Sequence, residues 1–125
     1  MENYYLEPSK VTPLINFDTG QGILEIKGRS SPENPVEMYS SLMSKLDEFT
    51  QNGQSNFTAN LEFEYFNTSS SKCLFDILKK IAGMRDVGKD VSVNWVYEDG
   101  DDDMMEAGED FSDLLDMEFN FVAID

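Results

Sequence analysis

The sequence predicts a single α/β domain, spanning residues 1–125, with a mixed β-sheet and helices mainly on one face. Three observations predict this class. Apolar and polar residues alternate in several runs, which is typical of strands with one solvated face. Between the later runs, apolar residues recur at helical spacing instead. A chain of 125 residues is also long enough for one hydrophobic core and short for two.

The first strands are predicted to form an antiparallel hairpin. A short strand is expected at residues 4–7 and a longer one at residues 11–17, with Pro13 near its start, where an edge strand tolerates the missing N–H. Residues 18–22 supply a turn with two glycines. Residues 23–27 alternate apolar and polar side chains and complete the hairpin.

A proline-containing loop at residues 28–35 precedes the first helix. Pro35 suits the first helical position, and Asn34 is a candidate N-cap. Apolar residues then recur at helical spacing up to about residue 50: Val36, Tyr39, Leu42, Met43, Leu46 and Phe49. The sequence Gln-Asn-Gly-Gln at 51–54 ends this helix.

Residues 56–65 show the clearest strand pattern, because every second side chain is apolar. A polar turn at residues 66–71 leads into a second helix, which is expected to extend to about residue 86. A further alternating run at residues 91–97 predicts another strand.

The last part of the chain is acidic. Residues 98–118 contain eleven acidic side chains and no basic one, and their apolar residues lie partly at helical spacing, so we predict a third helix with an acidic outer face. Residues 119–124 predict a final short strand. Strands joined by helices tend to be parallel, whereas hairpin strands are antiparallel, so the sheet is expected to be mixed.

The charge of the chain restricts the classes of partner. Nine lysines and arginines stand against 25 aspartates and glutamates, a formal net charge of −16. Nucleic acid and anionic membranes are not expected as partners, because binding to phosphates needs clustered cations. A protein partner with a basic face is the natural expectation.

Catalytic, cofactor and metal functions are not expected. The chain has no histidine and a single cysteine, Cys73, so neither a zinc site nor a Cys–His nucleophile can be assembled from it. The acidic run at 99–103 fails the EF-hand pattern, since Met104 or Glu106 stands where the loop glycine is required. An enzyme based on carboxylates is the least favoured class, because the spacing identifies no converging acid pair.

The cellular location expected from the sequence is the cytoplasm. No apolar run approaches the length of a membrane span, and the N-terminus lacks the pattern of a signal peptide. Cys73 can form no internal disulfide, which fits a reducing compartment, and we expect its side chain to be a small buried hydrophobe.

The polar turn before the second helix is the candidate functional feature. A helix start leaves backbone N–H groups without partners, and the side chains of residues 67–71 can cap them. The same position suits a phosphate, because the helix dipole favours negative charge there. The cap is the favoured interpretation, and it is compatible with phosphate. Spacing alone does not separate Thr68 from the neighbouring serine hydroxyls.

Five of the nine basic residues follow this turn: Lys72, Lys79, Lys80, Arg85 and Lys89. They form either a solvated helix face or a basic strip that meets a partner. Lys72 lies one helical turn from Thr68, so we expect it to neighbour a phosphate attached there.

Three groups of residues resemble the SiaC family of bacterial regulatory phosphoproteins. They are Ser-Pro-Glu-Asn at 31–34, Phe-Asn-Thr-Ser-Ser at 66–70, and Val-Asn-Trp-Val-Tyr at 93–97 followed by Gly-Glu-Asp-Phe at 108–111. The resemblance covers nearly the whole chain in order and at similar spacing, and residues 115–125 match less clearly. It implies a fold similar to the STAS domain of anti-anti-sigma factors.

The resemblance also implies a signalling switch and not an enzyme. In this family a partner kinase phosphorylates the threonine of the Asn-Thr-Ser-Ser turn, which corresponds to Thr68, and a PP2C-type phosphatase reverses the reaction. The unmodified form binds and activates a diguanylate cyclase, which links the switch to cyclic-di-GMP signalling and biofilm regulation.

We predict that the loop before the first helix and the turn before the second form one docking surface. The predicted partner-binding residues are Glu33, Asn34, Asn67, Ser69, Ser70 and Lys72. The alternative is a constitutive interaction module that docks through the acidic third helix, with the Thr68 turn acting only as a helix cap.

Overall fold

Six strands lie side by side in one sheet in the order in which they occur along the chain. The computed structural model describes residues 1–125. Its strands are β1 (Tyr4–Leu6), β2 (Leu14–Asp18), β3 (Ile23–Ser30), β4 (Asn56–Phe66), β5 (Asp90–Glu98) and β6 (Asn120–Ile124). The first three strands pair antiparallel, and β3 to β6 pair parallel. The predicted mixed sheet is therefore confirmed.

Each parallel connection contains one helix. The helices are α1 (Pro35–Gln51), α2 (Thr68–Gly83) and α3 (Asp102–Leu115). The three crossovers advance in the same direction along the sheet, and right-handed crossovers of this kind place their helices on the same face. The opposite face carries polar side chains, including an asparagine ladder in which Asn94 is hydrogen-bonded to Asn60 and Asn120.

Several element boundaries differ from the sequence prediction. Strand β3 continues to Ser30 and does not end at Lys27, because residues 28–30 remain paired with β4, so the loop before α1 is shorter than the predicted one at 28–35. Strand β2 begins at Leu14 and not at Val11, because residues 9–12 form a turn in which the Ser9 hydroxyl accepts from the N–H of Val11 and Thr12. Helix α2 ends at Gly83, and a 3₁₀ turn, Met84–Val87, completes the segment predicted as helix. Gly88, at a φ of 87°, then reverses the chain in the left-handed region that glycine adopts without strain.

The core lies between the sheet and the helices and consists of 25 buried residues. Its aromatic centre near α3 is Trp95, whose indole N–H donates to the Met104 carbonyl at 2.9 Å. Gly108 of α3 faces this indole so closely that an added Cβ would lie 2.5 Å from ring atoms. This contact explains how α3 packs closely on β5.

All three helices begin at the edge of the sheet where β3, β4 and β5 end. Each helix has a side-chain N-cap, in which Asn34 accepts from the N–H of Glu37 at 3.3 Å, Asn67 from Ser70 at 2.9 Å and Asp101 from Met104 at 3.1 Å. This edge therefore brings together the two loops that the sequence predicted as a docking surface. None of the helices combines the length and the hydropathy that a bilayer span requires.

Candidate functional site

The turn between β4 and α2 is a capped helix start, as the sequence predicts. The Asn67 side chain accepts from the N–H of Ser70, and the Asn67 carbonyl accepts from the N–H of Ser71 at 2.9 Å. Thr68 is the first residue of the helix. Asn67 thus accepts from the N–H groups of Ser70 and Ser71. The N–H groups of Thr68 and Ser69 remain as free donors at the start of the helix.

Ser30, which lies outside the turn, fixes the turn from the interior of the protein. The Ser30 carbonyl, at the end of β3, accepts from the N–H of Asn67 at 3.1 Å. The Ser30 hydroxyl donates to the Ser70 hydroxyl at 2.9 Å and lies 2.7 Å from the Tyr39 hydroxyl. We call Tyr39, Ser30 and Ser70 the hydroxyl chain.

Exposure separates the hydroxyl groups that the sequence could not separate. Thr68 and Ser69 are exposed, Ser71 is half-buried, and Ser70 is 0% exposed. Ser70 therefore does not fit the predicted role of a partner contact, because its hydroxyl points inward to Ser30. Thr68 and Ser69 are therefore the most exposed hydroxyl residues of this turn.

The other predicted contact residues lie on the surface of the same edge. Lys72 is exposed one turn along α2 from Thr68. Glu33 and Asn34 are exposed in the loop that follows β3, next to the loop that follows β4. The hydrogen bond between Ser30 and Asn67 joins the starts of these two loops, so the structure places the two predicted segments beside each other.

Burial keeps the ionisable groups beneath this edge neutral. It raises the pKa of the Tyr39 phenol far above its usual range, and the hydrogen bond with Ser30 offsets only part of that rise. Burial also raises the pKa of the Cys73 thiol, with a further contribution from Asp76 and an opposing one from Lys72. Cys73 is 8% exposed, which confirms the prediction of a small buried hydrophobe.

The basic residues of α2 and its exit do not form one continuous strip. Lys89 is only 7% exposed, so it belongs neither to a solvated helix face nor to a basic strip that meets a partner, and both interpretations of the sequence are wrong for it. Its ammonium donates to the Asn52 carbonyl at 2.8 Å and to the Gln54 carbonyl, at the end of α1. Lys80 is paired with Asp47 of α1 at 2.6 Å. Lys72, Lys79 and Arg85 remain as exposed cations on or just beyond α2.

Helix α3 presents the acidic outer face that the sequence predicts. Its exposed acidic residues are Asp102, Asp103, Glu106, Glu109, Asp110 and Asp113. No group of three or more acidic or cysteine side chains is arranged so that it could hold a metal ion. The acidic face is therefore a charged surface without coordinating geometry.

Sequence reasoning missed Ser30 and the role of Tyr39. The sequence prediction puts Ser30 in the loop at residues 28–35, whereas the structure places it at the end of β3, and Tyr39 looks like an ordinary apolar position of α1. Their contacts with Ser70 join three elements, and no local pattern indicates such contacts. The sequence shows only that Ser30 continues the alternation of Leu24 and Ile26, which would have extended the strand but not identified its partners.

Comparisons with known proteins agree with this fold. The model of the SiaC family of regulatory phosphoproteins matches residues 6–124. A curated protein of Pseudomonas aeruginosa strain UCBPP-PA14, described as uncharacterized, is 30% identical over 125 residues and covers 100% of this chain and 99% of its own. The crystal structure of apo-SiaC from Pseudomonas aeruginosa has a TM-score of 0.85 at 28% identity, with 100% of both chains covered.

A further crystal structure contains a binding partner. It shows the Pseudomonas aeruginosa diguanylate cyclase SiaD in complex with its activator SiaC, and this SiaC is similar to the present chain with a TM-score of 0.91 at 29% identity, covering 97% of this chain and 99% of its own. The match over nearly all residues agrees with the expectation of a regulatory protein and not an enzyme. The chain is a member of the SiaC family of regulatory phosphoproteins.

Proposed function

We propose that this chain is a cytoplasmic switch that activates a diguanylate cyclase when unmodified and releases it when Thr68 is phosphorylated. A partner kinase adds the phosphate, and a PP2C-type phosphatase removes it. The observation that carries the proposal is the exposed Thr68 at the first position of a capped helix, in a member of a family of regulatory phosphoproteins.

The choice of cyclase as effector is supported by the relative described above. SiaC of Pseudomonas aeruginosa is the activator of the cyclase SiaD, and its chain has the same fold as this one at 29% identity. The proposed docking surface contains Glu33, Asn34, Asn67, Ser69 and Lys72, which lie at the edge where the helices begin. Ser70 supports this surface from inside.

The helix start can carry a phosphate without unfolding the protein. A phosphothreonine adds a charge of about −1.5 to −2 and three acceptor oxygens. The N-terminus of α2 favours that charge by about 1 kcal/mol, and Lys72 lies one turn away. A bound partner would instead have to bury the dianion, which costs several kcal/mol, and each 1.4 kcal/mol lowers affinity about tenfold.

The decisive experiment combines site mapping with cyclase activity. The chain is incubated with ATP and its candidate kinase, and the site is mapped by mass spectrometry for wild type, Thr68→Ala and the matched control Ser69→Ala. We expect phosphate on wild type and on the Ser69 variant, and loss of cyclase activation in both. Phosphate found only at another residue, or a phosphorylated chain that activates as strongly as the unmodified one, would contradict the proposal.

The constitutive alternative rests on the exposed acidic face of α3. In that case Glu109→Gln with Asp110→Asn weakens binding of the cyclase, and Thr68→Ala leaves the response to the kinase unchanged. Under the switch proposal the same pair of neutralisations has little effect, and Thr68→Ala makes activation insensitive to the kinase.

A further inference from the structure

A groove separates the second half of α2, with the 3₁₀ turn that follows it, from the end of α3. Its volume is about 480 Å³, the largest of the surface cavities. Its lining residues are Phe75, Lys79, Ala82, Gly83, Arg85, Asp86, Leu114 and Leu115. We call it the α2–α3 groove.

The apolar part of this groove has no cover. Leu114 is 71% exposed, although it lies next to Leu115, Phe75 and Ala82. A Cβ added at Gly83 would meet no atom within 4 Å, so the space above the helix is open. A single exposed leucine needs no explanation, but an exposed leucine beside other apolar side chains in a concave surface is typical of a binding site.

The groove differs in charge from the rest of the protein. Lys79 and Arg85 on its wall take no part in the two ion pairs of the chain, Lys27–Glu62 and Lys80–Asp47. The Arg85 guanidinium donates to the carbonyls of Ala82, at 3.1 Å, and Asp116, at 3.4 Å, so its charge has no carboxylate partner. With Asp86 the lining carries a net charge of +1, in a protein whose net charge is −16.

One face of α2 links the groove with the Thr68 turn. Thr68, Lys72, Phe75 and Lys79 are spaced by four, three and four residues, so they follow one stripe of α2. The stripe is about 16 Å long at the rise of an α-helix. A partner segment of about three helical turns would reach from the groove to Thr68.

We propose that the α2–α3 groove receives an amphipathic acidic segment of the effector. Its apolar side chains pack against Leu114 and Leu115, and its carboxylates face Lys79 and Arg85. Because the stripe continues to Lys72, a phosphate on Thr68 competes with the partner's carboxylates for the same cation. This inference rests on the proposed function, since it assigns the groove to the cyclase.

The experiment measures the Kd of the full-length chain for a diguanylate cyclase. The cyclase used is the one most similar to SiaD in the organism that encodes this chain. Leu114→Gln is compared with Tyr5→Gln, an exposed aromatic at the far edge of the sheet. Lys79→Gln is compared with Lys27→Gln, which removes one cation from the face opposite the helices. We expect Leu114→Gln to weaken binding about tenfold and Lys79→Gln about fivefold, with less than twofold changes for the controls.

The result separates this inference from the proposed function. If the wild-type chain binds the cyclase and both groove variants bind equally well, the groove inference alone is overturned. If the wild-type chain does not bind, both fail. A second copy of the chain is the other possible occupant of the groove, and sedimentation of the isolated chain tests it. A dimer that Leu114→Gln abolishes would assign the groove to that second copy and overturn the proposal.

Discussion

The Ser30 hydroxyl donates a hydrogen bond to the Ser70 hydroxyl across 2.9 Å, and both residues are 0% exposed. The same Ser30 binds the N–H of Asn67 through its carbonyl. The turn that presents Thr68 is therefore held on both sides of the threonine by one residue of the neighbouring strand. This arrangement fixes the turn and leaves the side chains of Thr68 and Ser69 exposed.

Ser30→Ala is expected to destabilise the protein by about 1–3 kcal/mol, because the buried hydroxyls of Ser70 and Tyr39 lose a partner. The amides of Ser70 and Ser71 should also exchange faster with solvent. Urea unfolding and hydrogen exchange measure the two effects. Ser40→Ala is the control, since it removes an exposed hydroxyl bond to the Glu37 carbonyl, and it should change stability by less than about 0.5 kcal/mol.

The buried Tyr39 phenol predicts a loss of stability at high pH. In the unfolded chain tyrosine loses its proton near pH 10, whereas burial raises the pKa of Tyr39 in the fold. The contribution of the protonated Tyr39 phenol to stability is fully present below pH 10. Above that pH the unfolded state binds fewer protons than the folded state, so stability falls by up to about 1.4 kcal/mol per pH unit.

The measurement is urea unfolding between pH 9 and pH 11 for the wild type and for Tyr39→Phe. Other groups titrate equally in both proteins, so the difference between the two curves isolates Tyr39. The wild type should lose stability more steeply than the variant above pH 10. Parallel curves would show that Tyr39 ionises normally in the fold.

The order of elements could be predicted from local pattern alone. Alternation over residues 56–65 and helical spacing over residues 36–49 each depend on neighbours a few positions away, and both elements occur where the pattern places them. The capping role of Asn67 is equally local, because its acceptor serves Ser70 three residues later.

The contacts that hold the site could not be predicted, because they join distant parts of the chain. Ser30 and Ser70 are 40 residues apart, and Lys89 reaches a carbonyl 37 residues earlier. A lysine in a polar stretch gives no sign that helix-end carbonyls will surround it. The choice of Thr68 among the turn hydroxyls came from the family resemblance, and exposure later separated it from Ser70 but not from Ser69.

Gly108→Ala should destabilise the protein by about 1–3 kcal/mol, because the new Cβ would lie 2.5 Å from the Trp95 indole and force α3 away from β5. Gly83→Ala should change the stability of the protein in the opposite direction. That glycine is helical with open space around it, so alanine is expected to stabilise by up to about 1 kcal/mol. Thermal unfolding compares the two, and equal shifts would contradict the packing argument.

Lys89→Met is expected to cost about 1–3 kcal/mol, although methionine preserves most of the side-chain volume. The substitution leaves the carbonyls of Asn52 and Gln54 without their donor and removes a cation that lies 4.9 Å from the Phe49 ring centroid. Lys27→Met removes an exposed lysine 3.8 Å from Glu62 and should cost less than about 1 kcal/mol. Urea unfolding of both variants tests whether Lys89 is structural.

Thr68→Asp and Ser70→Asp should have very different consequences for the fold, although they lie two residues apart. Aspartate at position 68 is exposed at the start of α2, where negative charge is favourable, so stability should change by less than about 1 kcal/mol. Aspartate at position 70 would bury a carboxylate against Ser30 and should destabilise by several kcal/mol. Thermal unfolding measures both, with cyclase binding measured on whichever variant remains folded. A folded Thr68→Asp chain that no longer binds the cyclase would show that charge at this turn acts on the partner directly, since the fold that presents it is unchanged.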